Sequence, residues 1–268
     1  MNTRNVYSTD LTDAEWRRLA HLVPAPKPGG RPAKYPRREI INAILYWFRT
    51  GCAWRLLPHD FPPWRIVFYY FWQWRTAGIW EQSHDTLRGD LRQAEGRQRQ
   101  PSAGSIDSQS VKTTEKRGVC GYDAGKQVKG RKRHLLVDPL GRVLAVVVHA
   151  ANLQDRDGAK LVLGRLKPEF FRLRLIWADR SYAGQLLQWV KGLRQWRKVQ
   201  LEIVPKADTA KGFVVQPHRW IVERTFGWLS RYRRLSKDYE FLTSTSEAMI
   251  QVAMINLMVR RLARKRAF

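Results

Sequence analysis

Past residue 104 the chain changes its hydrophobic period, and that change limits the folds open to it. Stretches 105–111, 131–137, 143–150, 173–179 and 199–204 are short runs rich in Val, Ile and Leu, whereas 155–166, 183–196 and 217–237 space their apolar residues as helices do. The order is three strands, helix, strand, helix, strand, helix. The first three strands are joined by connections too short for a helix and can form an antiparallel meander, while the later ones alternate with helices. That order predicts an α/β domain, a mixed sheet flanked by helices, in which groups at strand ends converge on one edge.

The first hundred residues read differently. Thr12 and Glu15 are spaced as a capping box, opening a short helix that Pro24 ends. Residues 24–36 hold five prolines and two glycines and form an extended connector; its Lys27, Arg31 and Lys34 suit a phosphate backbone, with a plain linker as the alternative. Residues 37–50 place Ile40, Ile41, Ile44, Leu45 and Phe48 at helical spacing, and Gly51 is placed to close that helix in the left-handed region. Between Trp54 and Trp64 the prolines forbid a helix and the aromatics pin a turn; the following 68–74 is apolar nearly all round, read as a buried helix rather than a base-stacking platform. Together these elements predict a small all-α, helix-turn-helix-like domain over 1–97. The polar stretch 90–104 marks the boundary, with 98–268 as the second domain, including C-terminal helices.

With 44% hydrophobic residues and 12 Trp in 268, the chain is built to fold. Its 49 Lys and Arg against 23 Asp and Glu leave a net charge of +26, a self-repulsion suited to a polyanionic partner, nucleic acid first. The excess is not a detachable tail: residues 1–100 carry 16 basic and 9 acidic side chains, and the remainder 33 and 14. Cys52 and Cys120 cannot build a disulfide framework, and no CxxC or HExxH spacing makes a zinc site. No signal peptide opens the sequence and no apolar run reaches membrane-spanning length, which predicts a soluble protein of a reducing compartment.

Acids are scarce, so their positions carry information. Asp107 lies on the first strand of the α/β segment, Asp179 ends the run from Leu173, and Glu223 sits on a helix whose Val222, Phe226 and Leu229 form the core stripe. Singly, each acid could pair with one of the many basic side chains. Jointly, carboxylates from two strands and a helix suit hard divalent cations, which take oxygen ligands and stabilise the attacking and leaving oxygens of a phosphodiester. Lys126, Lys129, Arg131, Lys132 and Arg133 form the densest basic cluster, expected to meet DNA phosphates, with a solvated loop face as the alternative. Arg260, Arg261, Arg264, Lys265 and Arg266 invite the same expectation more weakly. Asp138, Asp155 and Asp157 read as turn or helix-cap acids.

Four segments together resemble the DDE transposases of bacterial insertion sequences, in the branch spanning the IS-four and IS-five families. They are Ser105-Ile-Asp-Ser-Gln-Ser-Val-Lys112, the stretch from Gly121 through His134 to Asp138, Ile176-Trp-Ala-Asp-Arg-Ser-Tyr-Ala-Gly184, and Arg219-Trp-Ile-Val-Glu-Arg-Thr-Phe-Gly-Trp-Leu229. Residues 50–64 are similar to the helical region that precedes the catalytic domain in these enzymes. The resemblance implies a ribonuclease H-like domain with Asp107, Asp179 and Glu223 as the catalytic, metal-holding acids. It also implies Mg²⁺, with Mn²⁺ as substitute, and double-stranded DNA, at element ends and target, as partner. In the family's Tyr-x₂-Arg-x₃-Glu-x₆-Lys signature, Arg219 and Glu223 match, while Gln216 stands for the Tyr and Ser230 for the Lys. Arg219 and Arg224 would steer phosphates beside the acids. Pairing two DNA ends implies a homodimer or higher homo-oligomer, in the bacterial cytoplasm at the nucleoid. Two other readings stay open: a catalytically inactive, transposase-derived DNA-binding protein, and a structure-specific nuclease of the same fold.

Overall fold

The computed structural model describes residues 4–26, 33–115, 118–192, 198–204 and 220–265. The chain forms two compact units, one of Met1–Arg97 with Arg231–Ser236 and Gln251–Phe268, the other of Gln98–Ser230 with Lys237–Ile250.

In the first unit α1 (Asp13–Leu19) opens on the capping box: Glu15 N–H donates to Thr12 Oγ1 at 3.2 Å and Thr12 N–H to the Glu15 carboxylate at 3.0 Å. Helix α2 (Arg37–Thr50) buries Ile40, Ile41, Ile44, Leu45 and Phe48 and ends at Gly51, whose φ of 76° lets its amide reach the Trp47 carbonyl at 3.0 Å. The proline-rich turn that follows is pinned by Trp54, stacked on Trp47 with ring centres 3.8 Å apart. Helix α3 (Trp64–Thr76) differs from the sequence expectation: Val67, Phe71 and Trp74 are buried, but Phe68, Tyr69 and Trp72 remain over 40% exposed, because the helix is covered on one side. Helix α4 (Ile79–Ala94) continues into the polar stretch from residue 90, since Trp80, Leu87 and Leu91 carry its buried face that far. Arg231–Ser236 and Gln251–Phe268 cluster with this unit, while Lys237–Ile250 clusters with the other. Tyr232 packs on Phe48 at 4.8 Å between ring centres, and the Arg234 guanidinium lies 4.9 Å from the Trp47 ring centre.

The second unit is built on a six-stranded mixed sheet: β1 (Ala103–Lys112), β2 (Gly121–Asp123), β3 (Val128–Val137), β4 (Val143–Ala150), β5 (Leu175–Ala178) and β6 (Gln200–Ile203). Strand β3 runs antiparallel to β1 from Ser105↔Val137 to Lys112↔Gly130, and β2 and β4 share its other edge. On the far side of β1, β5 is parallel to it and β6 is parallel to β5. The meander followed by parallel strands is the arrangement the sequence pattern predicts, and it is the ribonuclease H-like fold. Helices α5 (Asp155–Gly164) and α6 (Gln185–Gly192) cover one face, over Ile106, Leu136, Val147, Ile176 and Ala178. Helix α7 (Trp220–Ser230) packs on β1 and β3 and contributes nothing to that core. The long α8 (Thr243–Arg264) closes the chain.

Candidate active site

The β1–β5 ladder ends at Ser105↔Trp177, so Asp107 and Asp179 are the next same-face pair along its register. Both aspartates are half-buried and lie on neighbouring strands, two residues past the last paired residues of that ladder. Asp107 Oδ1 accepts from the Ser108 amide at 2.7 Å. Asp179 caps the short 3₁₀ turn Arg180–Tyr182, its Oδ1 accepting from the Ser181 amide at 2.8 Å and from the Ser181 hydroxyl. Glu223 lies exposed in the first turn of α7, next to buried Val222. That helix is seated by Thr225, which donates to the Gly141 carbonyl at 2.8 Å. Asp138 shapes the same hairpin turn, accepting from the amides of Leu140 and Arg142 at 2.9 and 2.8 Å, the turn duty its sequence context indicates.

The donor chemistry of the aspartate pair fits a hard cation, which takes carboxylate oxygens and no soft ligand. Among the described residues no three His, Cys, Asp or Glu side chains are grouped to hold a metal ion, and Glu223 stands on α7 rather than on the strands of the two aspartates.

On the other face of β1 lies a polar network that sequence reasoning missed. Ser108 donates to Asp155 Oδ1 at 2.7 Å, and Lys132 reaches the same oxygen at 3.1 Å and Asp123 at 3.4 Å. Burial pushes the Asp155 carboxyl up, but the bonds from Ser108 and Lys132 outweigh it and hold the group below the usual carboxylate range. Beside it, buried Tyr182 meets His134 Nε2 at 2.7 Å, and His134 Nδ1 meets His149 Nε2 at 3.2 Å. The direction of these bonds follows from their far end. His149 Nδ1 lies 2.9 Å from the Ala150 carbonyl, which can only accept, so Nδ1 carries the proton and Nε2 accepts. His134 therefore donates through Nδ1 and accepts through Nε2, and the Tyr182 hydroxyl donates to it. Burial, then the neighbouring His149, lowers the His134 imidazole to about 3, which keeps it neutral. Burial raises the Tyr182 phenol well above its ordinary value, and the charges of Asp107, Asp155 and Asp179 raise it further. Asp155 reads as an ordinary helix-cap acid in sequence. Tyr182 carries one local signal, its place three residues after Asp179.

The basic cluster requires a correction. Lys126 and Lys129 are exposed, the Lys126 ammonium turning back to the Ser108 carbonyl at 3.0 Å. Arg131, Lys132 and Arg133 are buried and do not present themselves to DNA phosphates. Arg131 donates to Val119 O at 2.7 Å, to Glu240 O and Phe241 O at 2.8 Å each, and to Asp238 at 3.1 Å, because a buried cation must be paired. Arg133 donates to the Lys237 carbonyl at 3.2 Å, and burial lowers its guanidinium to about 10. Arg224 sits between Trp220 and Trp228, 4.4 and 4.9 Å from their ring centres, one helical turn on either side. Lys34 is exposed, its ammonium 5.5 Å from the Tyr35 ring centre. Towards the C-terminus, Arg260 lies 3.8 Å from Glu15 and Lys265 donates to the Ala94 carbonyl at 2.8 Å. Lys27, Arg31, Gln216, Arg219 and Arg266 lie outside the described residues.

Fold and acid placement together define a ribonuclease H-like protein of the DDE class. Residues 98–258 match the family described as "Transposase DDE domain", and residues 11–84 match "Putative transposase of IS4/5 family". The chain belongs to the DDE transposase family, in its IS4/5 branch. It is 29% identical over 119 residues to a Burkholderia cepacia protein named "Putative transposase for insertion sequence element IS402", covering 41% of this chain and 54% of that one. A second Burkholderia cepacia protein, named "Insertion element IS402 uncharacterized 16.2 kDa protein", is 30% identical over 112 residues, 38% of this chain and 72% of its own length. The chain thus spans about half the length of the first relative. No helix among the described residues is long and apolar enough to cross a membrane.

Proposed function

We propose that the chain is a DNA transposase that binds the terminal inverted repeats of its element, cleaves phosphodiester bonds there and joins the freed 3′-hydroxyls to target DNA. The observation that carries the reading is the placement of Asp107 and Asp179 on neighbouring strands just past the β1–β5 ladder, in a chain of net charge +26 that belongs to this family. In this reading Asp107 and Asp179 supply the oxygens of a cation site and Glu223 adds a carboxylate from α7. A divalent cation held there, Mg²⁺ or Mn²⁺ in its place, supplies charge against the phosphate oxygens and a more acidic attacking water. Ser181 fixes the orientation of Asp179, since both its amide and its hydroxyl bind Oδ1. Lys34, Lys126 and Lys129, with Arg31, Arg219 and Arg224, meet backbone phosphates, which makes affinity fall as salt rises. Joining two ends calls for at least two copies on the DNA, as a homodimer or larger homo-oligomer in the bacterial cytoplasm.

The test incubates the protein, Asp107→Asn and Asp179→Asn with a labelled duplex carrying the element end, in Mg²⁺, Mn²⁺ or EDTA. All three proteins are expected to bind, and the wild type alone to cut and join in either metal. Cut ends without joined products would make the chain a nuclease. Binding without cleavage in any metal would make it a non-catalytic DNA-binding descendant, and undiminished cleavage by Asp107→Asn would remove that residue from the chemistry.

A further inference from the structure

Strands are ordinarily held at a fixed distance by their ladder, but the β1–β5 ladder stops two residues short of both aspartates. Asp179 lies already in the extended cap of the turn beyond β5. Backbone pairing between these two strands therefore does not directly set the separation of the acids, and one tie between the two stretches is a side chain. Tyr182 ends the turn that Asp179 caps, and its ring is fully buried in the core between sheet and α5 and α6. Its hydroxyl donates to His134 Nε2 on β3 at 2.7 Å. His134 is the β1–β3 register partner of Ser108, the residue next to Asp107, so one hydroxyl joins the Asp179 turn to the strand paired beside Asp107. The histidine chain fixes the direction of that bond: with His149 Nε2 occupied by the His134 Nδ1 proton, His134 can only accept from Tyr182.

We propose that Tyr182 is a positioning residue whose hydroxyl, held by His134, sets the spacing of the Asp107–Asp179 pair and with it the affinity of the pair for a divalent cation. The inference rests on the reading of that pair as a cation site. Tyr182 does not act as an acid, because its proton is committed to His134. Its role resembles that of the outer partners of metal ligands, whose loss weakens metal affinity about 10–100-fold.

The decisive measurement is Mn²⁺ binding to the full chain without DNA, read from the electron paramagnetic resonance of free Mn²⁺, with thermal unfolding recorded alongside. Asp107→Asn is expected to lose binding. Tyr182→Phe, which keeps the ring and removes one oxygen, is expected to fold and to bind Mn²⁺ about tenfold more weakly or worse. His134→Leu should match it, and the double variant should be no weaker, since both break one bond. His134→Gln, whose amide oxygen can accept in place of Nε2, should recover most of the affinity. Wild-type Mn²⁺ affinity in folded Tyr182→Phe overturns the proposal, as does equal weakening by the Gln and Leu variants. If His134→Leu fails to fold, Tyr182→Phe decides alone. Unchanged Mn²⁺ binding by Asp107→Asn would instead sink the cation site itself, whatever Tyr182 does.

Discussion

Gly158 stands inside α5, where Ala would ordinarily be the better helix former by about 0.8–1.0 kcal/mol. Its surroundings reverse that expectation. A Cβ built on Gly158 would lie 2.4 Å from His134 Nδ1, 2.7 Å from His134 Cε1 and 2.7 Å from His149 Nε2, on top of the hydrogen bond that joins the two rings. Neither ring is a flexible chain end: His134 is bound to Tyr182 on its other nitrogen, and His149 to the Ala150 carbonyl. A retreat of half an ångström or more must therefore break a bond or move the strand. Overpacking of a well-filled interior costs about 1–3 kcal/mol, and leaving a buried imidazole nitrogen unsatisfied adds about 1–3 kcal/mol. After the propensity gain, Gly158→Ala should lose on the order of 1–5 kcal/mol, or roughly 2–10 °C in Tm for a chain of this size. The control is Gly227→Ala in α7, where nothing lies within 4 Å of the new methyl. That variant should gain about 0.5–1 kcal/mol. Urea unfolding followed by far-ultraviolet circular dichroism measures both. A Gly158→Ala protein as stable as wild type would show that the histidine pair does not need the space the glycine leaves.

Two further outcomes follow from buried charges. Arg131→Met orphans the Asp238 carboxylate, itself 2% exposed, and three carbonyls, so it should lose about 3–5 kcal/mol in urea unfolding. A loss under about 1 kcal/mol would show that Ser246 and the Glu240 amide satisfy Asp238 unaided. The pH dependence concerns His134, which burial lowers from 6.5 to about 3. Below 6.5 the unfolded chain takes up a proton that the folded chain refuses, so this stability is complete above 6.5 and drains away as pH falls towards about 3. Between pH 7 and 5 the residue accounts for about 2 kcal/mol, and His134→Gln should show a pH dependence shallower by that amount. Parallel wild-type and variant curves would refute the buried neutral imidazole.

What could be read ahead of the structure, and what could not, divides by the range of the interaction. The strand before Asp179 is legible because a run of branched apolar residues needs only its own neighbours to declare a strand, and that of Asp107 through the alternation that puts Ser105, Asp107 and Gln109 on one face. The Glu223 helix is legible from Val222, Phe226 and Leu229, which recur with the period of one buried face. Tyr182, His134 and His149 are illegible because each belongs to a different element, and their meeting depends on register and on the space at Gly158. Asp155 is ambiguous for the opposite reason. An acid in the first helical turn has a sufficient local explanation, and nothing local hints that Ser108, forty-seven positions away in sequence, will bind it.

The cluster from Lys126 to Arg133 shows where composition misleads. A run of like charges ordinarily marks solvent, yet these residues enter a strand that has both faces covered. Lys132 turns to Asp123 and Asp155, while Arg131 reaches Asp238 and carbonyls at Glu240 and Phe241 more than a hundred positions later. Three of the five cations are thus interior struts, and Lys126 and Lys129 are the two that stay exposed. A net charge of +26 accordingly overstates the surface open to DNA, because part of it is spent on tying distant segments to the sheet that holds the aspartates. Neutralising Lys129 should therefore change the salt dependence of DNA binding without touching the fold, whereas neutralising Arg131 acts on the fold first.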